Sequence, residues 1–374
     1  MPDPTPHDNK FDTLEMLALP SGGSMSGASA TPPGVAPDHW DSFDAAEALI
    51  VASRYALGEI TDVRPFRRGS RRSPKILIKC EKGLVILKRL APGRDDPAHV
   101  ASNHAVQKAL AAAGFPLPRL AHLRNATETF VHHAGHVYEL FEAIRGFGYD
   151  QSPDQTHDAG RILAQFHAVL TGIKLDWDQQ GPSFHKHPAV APALHTLRAR
   201  PGVDAATTDS LAEIYARAGH HADAAGLAAW HKGVIHGDWH PGNMAFNGAA
   251  VAGVFDYDTL RTAQRAIDLA MGALQFSLQR SESSDPVDWP DAPDEARLRR
   301  FIAGYDSFPA SIVSRSELEA LPWLMVEALI AEPVLQIGAR GTFGRLDAGP
   351  ALGMVERKAR WLIANHERVT RVAS

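Results

Sequence analysis

His236-Gly237-Asp238-Trp239-His240-Pro241-Gly242-Asn243 decides how the rest of this chain is read. The stretch has the form H-x-D-x-x-x-x-N. Residues 233–236 before it and 250–255 after it read as short strands, and Pro241-Gly242 forces a loop between them. A loop held between strands presents the Asp238 carboxylate at a fixed point. Such a group can orient an attacking hydroxyl and take its proton. The Asn243 amide can supply Mg²⁺ with an oxygen ligand that adds no charge. A second ligand is offered by Val254-Phe255-Asp256-Tyr257-Asp258, where apolar residues before Asp256 make a buried strand that delivers its carboxylate.

The spacing is that of a kinase catalytic loop. A lone Asp or Asn in a loop is usually a turn or cap residue; the combination of Asp238, Asn243 and Asp256 carries the reading. Upstream, Val85-Ile86-Leu87-Lys88-Arg89 ends an apolar strand in a lysine, where a lysine for the α- and β-phosphates of ATP is expected. A rival reading comes from another enzyme class. His236, Asp238 and His240 alternate, so on a strand they would share one face and hold a metal, as in a metallohydrolase. Pro241 and Gly242 break such a strand, and the rival leaves Lys88, Asn243 and Asp256 without a role. His185, His187, His132 and His133 are read as surface histidines.

Outward from the loop, the pattern divides the chain. Residues 1–37 are rich in Pro, Gly and Ser and read as a disordered tail. A helix through Ala45, Leu49, Ile50, Ala52 and Tyr55 is followed by strands at 60–63, 75–79 and 84–88, the last two joined by Glu81-Lys82-Gly83. A helix over 98–113 ends at Gly114, and strands follow at 129–132 and 136–141. Beyond Gly146 the strand signals nearly vanish. The expected fold is α+β and two-lobed, protein-kinase-like: a small antiparallel-sheet lobe over 38–145 and a larger, mainly helical lobe over 146–374.

Composition narrows the partners. Of 374 residues, 44% are hydrophobic and 22% charged, the balance of a globular protein. A net charge of −5 gives no cationic field, which disfavours nucleic acid. Cys80 is the single cysteine, so intrachain disulfides and four-cysteine zinc modules are excluded. No basic leader precedes an apolar run, and no apolar stretch of about 18 residues is expected, so the reading is cytoplasmic with no membrane partner.

Several segments resemble the aminoglycoside phosphotransferase and choline kinase superfamily, and most closely its homoserine-kinase-like and spore-coat kinase-like members. They are Leu87-Lys88-Arg89, Ala113-Gly114-Phe115-Pro116-Leu117-Pro118, Tyr138 to Gly146, Leu163-Ala164-Gln165-Phe166-His167, the His236–Asn243 loop, Asp256-Tyr257-Asp258 and Asp268-Leu269-Ala270. The resemblance implies an ATP- and Mg²⁺-dependent small-molecule kinase acting on a hydroxyl. By it Asp238 is the base, Asn243 and Asp256 bind Mg²⁺, and Lys88 contacts ATP phosphates. Backbone groups of Glu139, Leu140 and Phe141 would bind adenine as the interlobe hinge.

Two departures from the family stand out. Its small-lobe helix often carries a glutamate for the lysine, but here the stretch reads Ser102-Asn103-His104-Ala105, so Asn103, His104 or another carboxylate must stand in. The phosphate-covering loop, Arg67-Arg68-Gly69-Ser70-Arg71-Arg72-Ser73, has one glycine and four arginines. Gly69 and Ser70 are its expected nucleotide contacts, and the arginines read either as phosphate clamps or as a solvated tip. A non-catalytic nucleotide-binding protein on the same fold is the other alternative. Candidate substrate contacts are His240, Asp258, Arg340 and Arg345. Asp258 equally reads as a further Mg²⁺ ligand or a loop cap, and the two arginines suit an acceptor bearing an anionic group.

Overall fold

The computed structural model describes residues 41–66, 72–175, 181–309 and 311–374. The expected tail and Arg67 to Arg71, with Gly69 and Ser70, lie outside the described residues.

The small lobe opens with α1 (Ala45–Ala52), started by a capping box between Asp44 and Glu47. Only part of its expected apolar set docks: Ala52 and Tyr55 are buried, with Val51, while Leu49 is 68% and Ile50 43% exposed. Polar contacts fix the rotation of this two-turn helix. Glu47 Oε1 accepts from Arg89 at 2.9 Å and from the Tyr138 hydroxyl at 2.6 Å.

Five antiparallel strands follow: β1 (Ile60–Pro65), β2 (Lys75–Cys80), β3 (Gly83–Arg89), β4 (Phe130–His133) and β5 (His136–Glu142), in the order β1-β2-β3-β5-β4. Both faces of the central strands are covered, which is why β2 and β3 read as nearly continuous apolar runs. Ile76, Ile78, Val85, Leu87 and Leu140 pack with α1 on one face. Leu77, Ile86 and Phe141 pack on the other with Ala245 and Phe255 of the large lobe. The period of two then dictates what else looks into the cleft. Lys75 opposes Lys88, and Lys88 opposes Glu139, so these three side chains form a row across β2, β3 and β5 on the cleft face. Helix α2 (Pro97–Ala112), capped by Asp96, flanks the sheet.

The large lobe contains α3 (Pro153–Val169), α4 (Val190–Leu197), α5 (Ala205–Ala224), α6 (Arg265–Ser277), α7 (Glu295–Asp306), α8 (Arg315–Arg340), α9 (Ala348–Ala364) and α10 (His366–Ala373) around the main core. Short strand pairs interrupt it: β6 (Lys232–Ile235) with β9 (Arg261–Gln264), β7 (Met244–Asn247) with β8 (Ala250–Val254), and β10 (Thr342–Phe343) with β11 (Leu346–Asp347). The strands expected on either side of the central loop are thus not each other's partners. One expectation is corrected here. Helix α8 is long and apolar enough to cross a membrane by length and composition, although Pro322, Glu327, Glu332 and Pro333 punctuate it in the sequence. Most of that apolar span is buried inside the lobe, as a core helix.

Candidate active site

Strand β6 runs into His236, whose Nε2–H donates to the Phe255 carbonyl at 3.1 Å; burial keeps this imidazole's pKa below its usual value. Asp268, in the first turn of α6, accepts from the His236 N–H at 2.6 Å and the Gly237 N–H at 2.8 Å. One carboxylate therefore ties down both amides that enter the loop. His167 of α3 donates to the same carboxylate at 3.3 Å. Gly237 has φ +78°, and a Cβ there would lie 2.6 Å from the Thr259 carbonyl oxygen, so the turn needs a glycine.

That turn delivers Asp238, 2% exposed, to the cleft. Asn243 Nδ2 donates to both the main-chain oxygen and Oδ2 of Asp238, each at 3.0 Å. The amide nitrogen faces inward, which leaves Oδ1 for a cation. His240 Nδ1 accepts from the Gly242 N–H at 3.0 Å, so its proton sits on Nε2, 3.5 Å from Asp238 Oδ2. Burial lowers the His240 pKa, but the Asp238 charge outweighs it and the net shift is upward. The two histidines turn to different partners, and among the described residues no group of three His, Cys, Asp or Glu side chains could hold a metal ion. The alternating His-Asp-His set does not converge.

Asp256 follows β8 with φ +64°, a left-handed conformation that a non-glycine residue rarely adopts outside sites where the surroundings enforce it. Burial and then the Asp258 charge raise its carboxyl above the usual range, with Lys88 opposing. Carboxylate oxygens crowded in this way, together with Asn243 Oδ1, are the hard donors that Mg²⁺ accepts while keeping several waters. The residues fit that ion.

Lys88 lies 3.0 Å from Glu139 Oε1 and 3.2 Å from Asp258 Oδ2. The other oxygen of Glu139 accepts from His104 Nε2 at 2.9 Å, and His104 Nδ1 meets Thr129 Oγ1 at 2.7 Å. Burial works to raise the Glu139 carboxyl, but Lys88 and then His104 hold it far below the usual range, at about 2. The lysine's carboxylate partner thus comes from a neighbouring strand, with a helix histidine bracing it. This corrects the hinge expectation. Glu139 lies within β5 between Lys88 and Phe130, Leu140 O accepts from Ala121 N at 2.8 Å, and Phe141 pairs with Ile86. Their backbone is engaged inside the small lobe, and Ala143 N still donates to Leu84 O of β3 at 2.9 Å.

The family model described as "phosphotransferase enzyme family" matches residues 62–320, more than half of the chain. The chain belongs to the phosphotransferase enzyme family. No curated protein matches it. Among solved structures, this phosphotransferase-family chain is similar to a microcompartment-associated aminopropanol kinase, at TM-score 0.64 and 16% identity over 86% of this chain and 97% of that one. It is also similar to an aminoglycoside phosphotransferase from Alicyclobacillus acidocaldarius, at TM-score 0.62 and 18% identity over 86% and 96%. The amicoumacin kinase hAmiN in complex with AMP-PNP, Ca²⁺ and Ami aligns at TM-score 0.60 and 14% identity over 86% and 94%.

The remaining candidate residues of this family member are dispersed. Asp258 pairs with Lys88, and its main-chain oxygen accepts from Arg94 at 2.8 Å, which sets it on the lysine side of the cleft. Arg340 and Arg345 are exposed at the end of α8 and beside β11, and neither bonds to a described residue of the site. His185 is not a free surface histidine: Nδ1 meets buried Glu327 at 2.7 Å and Nε2 meets Asp223 at 3.3 Å. Sequence reasoning passed over Glu332 of α8. It accepts from Gln275 at 2.8 Å, and burial, then the Asp238 charge, pushes its carboxyl up to about 7, with His240 opposing. An acid inside an apolar helix was the available signal.

Proposed function

We propose that this phosphotransferase moves the γ-phosphoryl group of ATP to the hydroxyl of a small molecule that also carries a basic amine. The arrangement that supports this most is the catalytic loop itself, with Asp238 held by Asn243 and faced across the cleft by Asp256 and the Lys88–Glu139 pair. The acceptor oxygen forms the new bond to phosphorus. The bond from the γ-phosphorus to the bridging oxygen breaks, and ADP leaves with that electron pair. The hydroxyl proton passes to Asp238. Lys88 holds the phosphates in line, and Asn243 and Asp256 would hold Mg²⁺, which neutralises phosphate charge there. His240, with its Nε2 proton toward Asp238, orients the base.

The amine is argued from Glu332. Its carboxyl lies in the fields of Asp238 and His240, on α8, which packs against α6. Two acids beside one another favour a cationic ligand, which restores Glu332 to its ionised form. Amino alcohols fit this chemistry, and aminopropanol is what the name of one structural relative prints. An acceptor held by its anionic group has less support, because Arg340 and Arg345 are exposed away from these residues. The test is coupled ADP detection over amino alcohols, hydroxy acids and sugars with Mg·ATP. Turnover of an amino alcohol is expected, with the acceptor KM raised about tenfold in Glu332→Gln and the ATP KM unchanged. Turnover confined to hydroxy acids would refute the amine assignment.

A further inference from the structure

One buried cation in the cleft has no part in the scheme above. Lys75 is the first residue of β2, and strand register sets it directly opposite Lys88, so both side chains leave the same face of the sheet. It is 9% exposed, which is rare for a lysine. Its Nζ donates to the Ser73 carbonyl at 3.3 Å, and its charge interacts with Asp256, Asp258 and Glu139 as well as with Lys88. Burial and the neighbouring Lys88 charge lower its ammonium pKa to about 8, with the three carboxylates opposing.

Lys88 has a carboxylate on each side, Glu139 at 3.0 Å and Asp258 at 3.2 Å. Those two acids fix the Lys88 ammonium on the cleft face, beside the position from which Lys75 leaves β2. The Arg94 guanidinium donates to the Asp258 main-chain oxygen. Two lysines side by side at a strand pair can grip adjacent phosphates, one from each strand.

We propose that Lys75 is a second phosphate-binding residue, holding the nucleotide's polyphosphate beside Lys88. The inference rests on the ATP-dependent reading of the site given above. A merely structural lysine, bracing the β1–β2 connection through Ser73, would affect every nucleotide alike or none. A phosphate ligand discriminates by phosphate number.

The experiment compares calorimetric binding of Mg·ATP, Mg·ADP and AMP to the unmodified chain, Lys75→Met and Lys75→Arg. In Lys75→Met, ATP and ADP should bind about 10- to 100-fold more weakly, the effect of losing one charge-assisted hydrogen bond. AMP should bind as before, and Lys75→Arg should recover most of the loss. Equal ATP affinity in Lys75→Met, or an AMP loss as large as the ATP loss, overturns the assignment while leaving the kinase reading intact. Failure of the unmodified chain to bind Mg·ATP overturns both. Should Lys75→Met not fold, amine acylation of the unmodified chain followed by mass spectrometry decides the matter. Mg·ATP should shield Lys75 and AMP should not, and equal labelling in the two refutes the proposal.

Discussion

Replacing Glu139 by Gln keeps the side chain's size and removes the charge between Lys88 and His104. Two routes give the cost. The carboxyl is held at about 2 against an ordinary 4.5, and each pH unit corresponds to about 1.4 kcal/mol, so the ionised form contributes about 3 kcal/mol near neutrality. Removing one partner of a buried ion pair costs about 3–5 kcal/mol in general. Lys88 keeps Asp258 at 3.2 Å, so the low end applies. The folded value is the lower one, so this stability is present above pH 4.5 and is lost as pH falls through about 2. Urea unfolding should therefore place Glu139→Gln about 3 kcal/mol below the unmodified chain at neutral pH, with the gap narrowing to roughly half near pH 3. Activity should fall about 10²-fold as Lys88 shifts toward Asp258. A gap below about 1 kcal/mol at neutral pH, or one that stays constant on acidification, would refute the strand-borne pairing.

Three further substitutions probe the loop and the proposed metal ligand Asp256. Asp238→Asn should lower kcat at least ~10²-fold with little change in the ATP KM, and near-normal turnover would remove Asp238 as base. Asp256→Ala should abolish the divalent-cation dependence of nucleotide stabilisation in thermal melts; an unchanged Mg·ATP shift would rule it out as the ligand. Gly237→Ala places a Cβ 2.6 Å from the Thr259 carbonyl oxygen and should cost about 1–2 kcal/mol with a loss of kcat. Melting and turnover like those of the unmodified chain would show that the turn relaxes without disturbing Asp238.

Features set by local chemistry were legible in the sequence, and those set by strand register were not. The β2–β3 hairpin and the loop from His236 to Asn243 each depend on residues a few positions apart. Glu139 lies 51 positions from Lys88 and 35 from His104, yet touches both. Nothing near it in sequence distinguishes its carboxylate from a solvated strand charge, and the family resemblance pointed to its backbone as a hinge instead. The same limit hid Lys75, which looks like an edge charge until β2 is laid against β3. The α1 face was legible only in part for a related reason: Glu47 bonds Arg89 and Tyr138 at distant positions, and Leu49 and Ile50 stay exposed while Ala52 and Tyr55 dock. Once register is known, the argument runs forward again. Alternation places Lys75, Lys88 and Glu139 on one face with Leu77, Ile86 and Phe141, so a charged row must lie where the sheet meets Asp256 and Asp258. Buried charges of both signs persist there only if something polar completes them. The nucleotide polyphosphate and cation proposed above carry charges that would match both halves of that row.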